Sequence, residues 1–394
     1  MDQDQVFHIP EVLKQREHIL VIGVGGGGGN ALNHIIESGV EGVEFVAANT
    51  DSRALAMNKA PHKIILGEKL TKGLGAGADP QVGMDAAKES IDHIREYING
   101  ADMVFVTAGM GGGTGTGAAP IIAEVAKDMG VLVVAVVTTP FSFERKKRAT
   151  VAQEGIAKLR EKVDALLVVE NDKLLSQADD KTKSIDAFKM ANEVLRQSVQ
   201  GVTDLILKPG NINVDFADVR TIMRNSGAAI MGIGVGDGED KAEKAAKAAI
   251  KSPLMSLPLK GAKGILFNIE SAPDVALFDI TKAANIINET AHEDAQVIWG
   301  HTLNEDLEDV IRITVIATGF SENVERSPLP QPSQPSQPNP IIKEPVKGLR
   351  LGKTRGNFFS FDETDLPSMG DEDMFMGTFK TPYDEPAIIR KKQK

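Results

Sequence analysis

Gly111-Gly112-Gly113-Thr114-Gly115-Thr116-Gly117 is the stretch on which the fold turns. Before it runs Met103-Val104-Phe105-Val106-Thr107-Ala108, apolar and strand-like. After it comes Pro120-Ile121-Ile122-Ala123-Glu124-Val125-Ala126-Lys127, with helical spacing. A glycine-rich turn between strand and helix directs bare backbone N–H groups and a helix N-terminus at one point, which favours phosphate. Thr114 and Thr116 add hydroxyl donors without charge. No Gly-Lys-Ser/Thr follows the glycines, so the loop is not a P-loop.

Working outward, Gly23-Val24-Gly25-Gly26-Gly27-Gly28-Gly29-Asn30 follows the apolar Ile19-Leu20-Val21-Ile22. It satisfies G-x-G-x-x-G, a weak signal that a tight turn with positive φ also produces. Five consecutive glycines exceed what a turn requires and point to close approach of a ligand to the main chain. A third loop, Lys72-Gly73-Leu74-Gly75-Ala76-Gly77-Ala78-Asp79-Pro80, is able to fold over a terminal phosphate. Strand candidates at 19–24, 43–48, 63–66, 103–108, 131–137 and 166–169 alternate with helices, one of them marked by Ile122, Val125, Ala126 and Met129. This is the pattern of a doubly wound, Rossmann-like α/β domain whose ligand lies at the C-terminal strand ends. A long helix is expected over 185–207, with Ile185, Phe188, Leu195, Val199 and Val202 near one face and Asn192 among them. Beyond Pro209-Gly210 a second, smaller α/β segment has strand candidates at 228–235, 264–269, 296–300 and 311–317, and a helix over 239–250.

Bulk properties narrow the function. The 394 residues carry a formal net charge of −11, unsuited to general nucleic-acid binding, and no cysteine, which removes disulfides and thiolate metal sites. The seven histidines show no metal-ligand spacing, and one Trp with two Tyr makes a poor stacking platform for single strands. No apolar stretch spans a bilayer, and the acidic start Met1-Asp2-Gln3-Asp4 is unlike a secretory signal. A cytoplasmic protein without direct membrane insertion is expected. The run Ser327-Pro328-Leu329-Pro330-Gln331-Pro332 opens a segment with the composition of a disordered linker, and the final residues regain apolar character beside a basic cluster. That end reads either as a solvated tail or as a short motif that orders on a partner.

Asp215 and Asp218 lie three apart at an expected helix start, where acidic residues commonly only cap the helix. The functional alternative is a pair that orients water for phosphate hydrolysis, with Asn213 beside it. Phe188 and Asn192, four apart, suit stacking on a base and reading its edge, or equally a core Phe beside a satisfied Asn. Glu144 and Arg148 lie in a charge run that is ordinarily a solvated face, yet beyond a strand C-terminus it suits ribose and phosphate contacts.

Together these motifs resemble the FtsZ family of tubulin-like bacterial cell-division GTPases, in order across residues 15 to 320. The resemblance rests on residues 111–117, 25–30, Asn49-Thr50-Asp51, 73–77 and 213–220. It implies a tubulin-type GTPase domain (19–184) after an N-terminal extension (1–18), a central helix (185–208) and a C-terminal α/β domain with the catalytic loop (209–320). A disordered linker (321–382) and a partner-binding peptide (383–394) complete it. GTP or GDP, with Mg2+, would contact Gly26, Gly27, Gly28, Gly29, Asn30, Asn49, Asp51, Gly75, Ala76, Gly77 and the loop from Gly111 through Gly112, Gly113, Thr114, Gly115 and Thr116 to Gly117. Glu144 and Arg148 would meet the ribose, Phe188 and Asn192 the guanine. Asn213, Asp215 and Asp218 would act on the nucleotide of the next subunit, so that head-to-tail polymerisation completes the site. Asp384, Pro386, Ile388, Ile389 and Arg390 would bind membrane-anchoring division adaptors. Assembly inhibitors are further expected partners, and a mid-cell ring the expected location. The chain departs from the family at Arg145, where many relatives have glycine, at Asp79 in place of a usual asparagine, and at Trp299.

Two other readings stand beside this one. A nicotinamide-dependent oxidoreductase would use the first glycine run, with Asp51 as its acidic ribose contact, but leaves residues 111–117 and 213–218 without a role. A nucleotide-binding adaptor would never polymerise.

Overall fold

The computed structural model describes residues 17–175, 183–208, 210–252, 254, 255 and 257–320. The linker, the terminal peptide with Asp384, Pro386, Ile388, Ile389 and Arg390, and residues 1–16 lie outside them. The first half alternates as read: β1 (Ile19–Val24), α1 (Gly25–Glu37), β2 (Val43–Asn49), α2 (Ser52–Met57), β3 (His62–Ile65), α3 (Glu68–Thr71), α4 (Pro80–Glu89), α5 (Ile91–Ile98), β4 (Met103–Gly109), α6 (Thr114–Asp128), β5 (Leu132–Thr139), α7 (Lys146–Arg160) and β6 (Ala165–Glu170). Then come α8 (Asn171–Leu175), α9 (Ser184–Leu207), β7 (Gly210–Ile212), α10 (Phe216–Met223), β8 (Gly227–Asp237), α11 (Lys241–Ile250), β9 (Gly264–Ser271), α12 (Leu277–Thr290), β10 (Gln296–Leu303) and β11 (Val310–Thr318).

Among the described residues the strands form one sheet in the order β3-β2-β1-β4-β5-β6-β8-β11-β9-β10-β7. From β3 to β8 every pairing is parallel; β11 runs antiparallel to both its neighbours. The parallel strands are continuous apolar runs because both faces are buried. Ile19 and Val21 of β1 join one core with α1 and α9, while Leu20, Ile22 and Val24 join another with α4 to α7. The second, smaller α/β half packs α11 and α12 on β8, β9 and β11 in a core of its own. It is not separate at the level of the sheet: Ala165–Leu167 of β6 pair with Gly227–Ala229 of β8. Trp299 stacks on Phe267 within this half, with ring centroids 5.9 Å apart, so its role is packing.

The 24-residue α9 spans the parallel sheet from end to end. At about 1.5 Å per residue it is about 36 Å long. Near its start Phe188 meets Phe141, just past the C-terminal end of β5. At its finish Leu207 lies against Gly42, just before β2 begins. The helix therefore runs opposite to the strands and delivers the chain to their N-terminal ends. No helix among the described residues is long and apolar enough to cross a membrane.

Candidate nucleotide-binding site

Two helix N-termini converge beyond the strand ends. α1 starts at Gly25 directly after β1, and α6 at Thr114 after the second glycine loop. Neither has a side-chain cap at its N-terminus, and neither carries an acidic residue in its first turn. Their first-turn amides are thus left for a ligand, and both dipoles favour an anion there. The two turns are in contact: a Cβ on Gly25 would lie 2.8 Å from the Gly115 nitrogen. Thr50, at the end of β2, ties its hydroxyl to that of Thr114 at 2.6 Å.

The glycines divide by what surrounds them. At Gly28, Gly115 and Gly117 a Cβ would come within 2.3, 2.7 and 2.0 Å of the carbonyl oxygens of Thr107, Gly109 and Pro80. These positions are glycine because backbone passes there. Gly113 is hemmed in by Ala76 and Asp79, and the Gly27 position meets the Gly109 backbone at 3.0 Å. Gly29 belongs to the α2 contact, its carbonyl accepting from Asn58 Nδ2 at 2.9 Å. At Gly26 and Gly112 a Cβ would meet nothing within 4 Å. These two face open space and form the accessible floor of the cradle. Within the five-glycine run, packing against neighbouring backbone explains Gly25, Gly27 and Gly28, whereas Gly26, like Gly112, is free of such contact. Thr116 is buried and accepts from the Gly111 amide at 2.9 Å, so it shapes the loop.

The third glycine loop is pinned over the cradle's edge. Gly75 N–H donates to Thr50 O, and Ser52 N–H to Gly73 O, each at 3.1 Å. Ala76 is buried while Gly77 is exposed. Asp79 caps α4 through Gln81 N–H at 2.8 Å, with Pro80 in the first turn, so aspartate does here what asparagine would. Asn49 is buried at the end of β2, and its Oδ1 accepts from the Asp51 amide at 3.3 Å. Asp51 caps α2 through the amides of Arg53 and Ala54. Asn30 is exposed in the second turn of α1.

On the opposite flank Arg148 and Glu144 form an ion pair at 2.5 Å, and Glu144 accepts from the Phe141 amide at 3.1 Å. The Arg148 carbonyl would lie 2.8 Å from a Cβ on Gly111, which fixes α7 against the glycine loop. Arg145, at the head of α7, has φ 77° and ψ 155°, a region that is essentially glycine's. Phe188 is 46% exposed. It is not on the buried face with Leu195, Val199 and Val202, but presents its ring at the rim, edge-on to Phe141 at 5.3 Å. Asn192, one turn further along α9, is half-buried, and its side chain makes no hydrogen bond to another described residue.

The sequence reading missed three neighbours. Phe143 is 60% exposed and stacks on buried Phe141 at 5.1 Å, extending an aromatic rim to Phe188. Asn171 follows the C-terminal end of β6, buried, with an Oδ1 that has no hydrogen-bond partner among the described residues. Its position directly after a parallel strand was the available signal.

The acidic residues lie elsewhere. Arg220 of α10 donates from Nη2 to the Gly130 carbonyl at 3.2 Å, immediately before β5 begins. Asp218 is two residues upstream on the same helix, about 3 Å along its axis. The cradle is at the other end of the sheet, and β5 alone separates the two by about 23 Å. Asp215 caps α10 by accepting from the Asp218 amide at 2.8 Å, and Asn213 Oδ1 accepts from the Gly210 amide at 2.7 Å. Asp215 and Asp218 are exposed. The fold thus brings together the three glycine loops, Asn49, Asp51, Glu144, Arg148, Phe188 and Asn192, and holds Asn213, Asp215 and Asp218 apart from them.

Comparison with known proteins covers both halves of the chain. Residues 18–179 match the Tubulin/FtsZ family, GTPase domain, and residues 227–321 the FtsZ family, C-terminal domain. That is the tubulin-like class of protein, and solved structures narrow it. A structure described as an empty FtsZ dimer from M. jannaschii is 41% identical, with a TM-score of 0.76 over 83% of this chain and 97% of that one. A tryptophan-to-tyrosine mutant of M. jannaschii FtsZ is 43% identical, with a TM-score of 0.75 over 79% of this chain and 93% of that one. CetZ2 from Haloferax volcanii, described as a GTPγS-bound protofilament, is 22% identical with a TM-score of 0.65 over 78% of this chain and 95% of that one, a likeness of fold alone. The chain belongs to the FtsZ family.

Proposed function

We propose that this chain binds GTP between its glycine loops and hydrolyses it when the acidic loop of a second copy closes over the γ-phosphate. One observation carries the reading: the cradle and the pair Asp215–Asp218 are at opposite ends of one sheet. A single copy cannot apply its own carboxylates to its own cradle. A second copy stacked in the same orientation can, and an interface of that kind does not close, so it generates a filament. The glycine loops supply neutral N–H donors and no base, so nucleotide is held without being turned over until the neighbour arrives.

In this reading Gly26, Gly112 and the first turns of α1 and α6 hold the phosphates. Glu144 and Arg148 meet the ribose, and the aromatic rim and Asn192 receive the base, with Asn171 offering its orphan acceptor. Asp215 and Asp218 orient the attacking water. Mg2+ would be held chiefly by the nucleotide's own phosphate oxygens, hard ligands that suit it, and would offset their charge. Among the described residues no group of three or more His, Asp or Glu is arranged to hold a metal alone. The working divisions are 19–184 for nucleotide, 185–208 for the strut and 209–320 for the acidic loop and its support. The filament would scaffold a cytoplasmic division ring at mid-cell. The terminal peptide would recruit adaptors on a linker of about 60 residues, with a coil span of roughly 40 Å.

Complementation tests the shared site. Asp218→Ala keeps the cradle and loses the acid; Gly112→Glu places a like charge in the cradle and keeps the acid. Each variant alone is expected to be nearly inactive, and an equimolar mixture to regain GTP turnover. A mixture that co-sediments yet stays inactive contradicts the proposal.

A further inference from the structure

The loop that bears the acidic residues hangs from a very small anchor. β7 is three residues long, the edge of the sheet, and pairs only with β10, through His301↔Ile212 and Thr302↔Gly210 with a shift in register between them. The approach is close: a Cβ on Gly210 would lie 2.0 Å from the His301 carbonyl. Asn213, Val214 and Asp215 follow β7 directly. The side-chain bonds of Asn213 and Asp215 are local to their own loop and helix turn. Among the described residues, one side-chain hydrogen bond ties residues 210–215 to another element, and it goes to His301.

His301 is 3% exposed. Its Nε2 lies 2.8 Å from Ser271 Oγ, and its Nδ1 lies 3.4 Å from Asn211 Nδ2. The Ser271 hydroxyl already donates to the Ala272 carbonyl at 3.0 Å, so it accepts from the imidazole. The network therefore assigns the proton to Nε2 and leaves the Nδ1 lone pair facing the Asn211 amide. Burial holds the imidazole below its ordinary range, and no charged side chain acts against that, which keeps the ring neutral.

We propose that His301 is a positioning residue for hydrolysis: by accepting from Asn211 it fixes β7, and through β7 the angle at which Asn213, Asp215 and Asp218 enter the neighbouring copy. This rests on the shared-site reading above. Nothing in the cradle touches His301, so its contribution falls on turnover within the polymer and not on nucleotide affinity.

Two substitutions separate positioning from packing. His301→Gln reaches Ser271 with its terminal amide but withdraws the acceptor at the Nδ1 position. His301→Asn offers an acceptor at the Nδ1 position and gives up the Ser271 contact. With GTP affinity measured on monomer and turnover measured per sedimented subunit, His301→Gln is expected to lower turnover about tenfold at unchanged affinity. His301→Asn is expected to recover most of that loss. Asn211→Ala should match His301→Gln, and adding it in that background should lower turnover no further. Equal turnover in His301→Gln and the parent, additive losses from the pair, or a loss in His301→Asn as deep as in His301→Gln overturns the positioning role. If turnover in the parent is itself independent of assembly, the shared site fails first, and the two failures are told apart.

Discussion

At the scale of single residues, the glycines separate into those that face open space and those that neighbouring backbone packs against. Gly26→Ala meets no neighbour and is expected to leave thermal stability within about 0.5 kcal/mol of the parent while weakening GTP binding. Gly28→Ala drives a methyl group into the Thr107 carbonyl and is expected to cost about 1–3 kcal/mol. Denaturant melts and nucleotide titrations on the two variants should give opposite patterns; matching patterns would mean the division is wrong. Gly111 belongs with the second group. A serine there meets the Arg148 carbonyl at a φ of 97°, so it disturbs the seat of α7 before it crowds any phosphate. Arg145 is the converse case, a bulky residue in glycine's conformation. Arg145→Gly is expected to raise stability by about 1 kcal/mol, read as a later urea midpoint at unchanged slope. An earlier midpoint would show that the arginine side chain contributes more than its backbone costs.

At the scale of elements, α10 joins stability to chemistry. Asp215 caps the helix and is also assigned to water orientation, and the two roles come apart on substitution. Asp215→Asn keeps a good cap and is expected to fold normally while losing most turnover. Asp215→Ala is expected to lose the same turnover and about 1 kcal/mol of stability besides. Full turnover in Asp215→Asn would reduce the residue to a cap. The elements legible in the sequence were those with a strong physical signature. The parallel strands show as apolar runs because helices cover both faces, and α9 shows because Leu195, Val199 and Val202 keep one buried stripe. β7 left no such mark: three residues at an edge, held by one neighbouring strand, carry no pattern. Phe188 misled for a related reason, since spacing reports the face of a helix and not where the covering layer stops.

At the scale of the molecule, α9 sets the separation between the cradle and the acidic loop. It begins beside the aromatic rim and ends where the acidic loop begins, so the length of one helix places cradle and acids at opposite poles. The glycine loops were readable as strand-to-helix turns at the C-terminal strand ends, and the structure places them there. The distance of Asp215 and Asp218 from the cradle was not readable, because only the direction of α9 and the Arg220–Gly130 contact show which end of the sheet they occupy. Asn171 was hidden too, since an unpaired amide is visible only once its surroundings are built. In the proposed reading, both poles on one sheet would give a unit that repeats along a line and is chemically complete only between copies. The direct test is GTP hydrolysis per subunit measured against protein concentration, with sedimentation of the same samples. The account predicts near-zero turnover below a threshold and a rise as pelletable polymer appears; constant turnover per subunit at every concentration, without polymer, would contradict it.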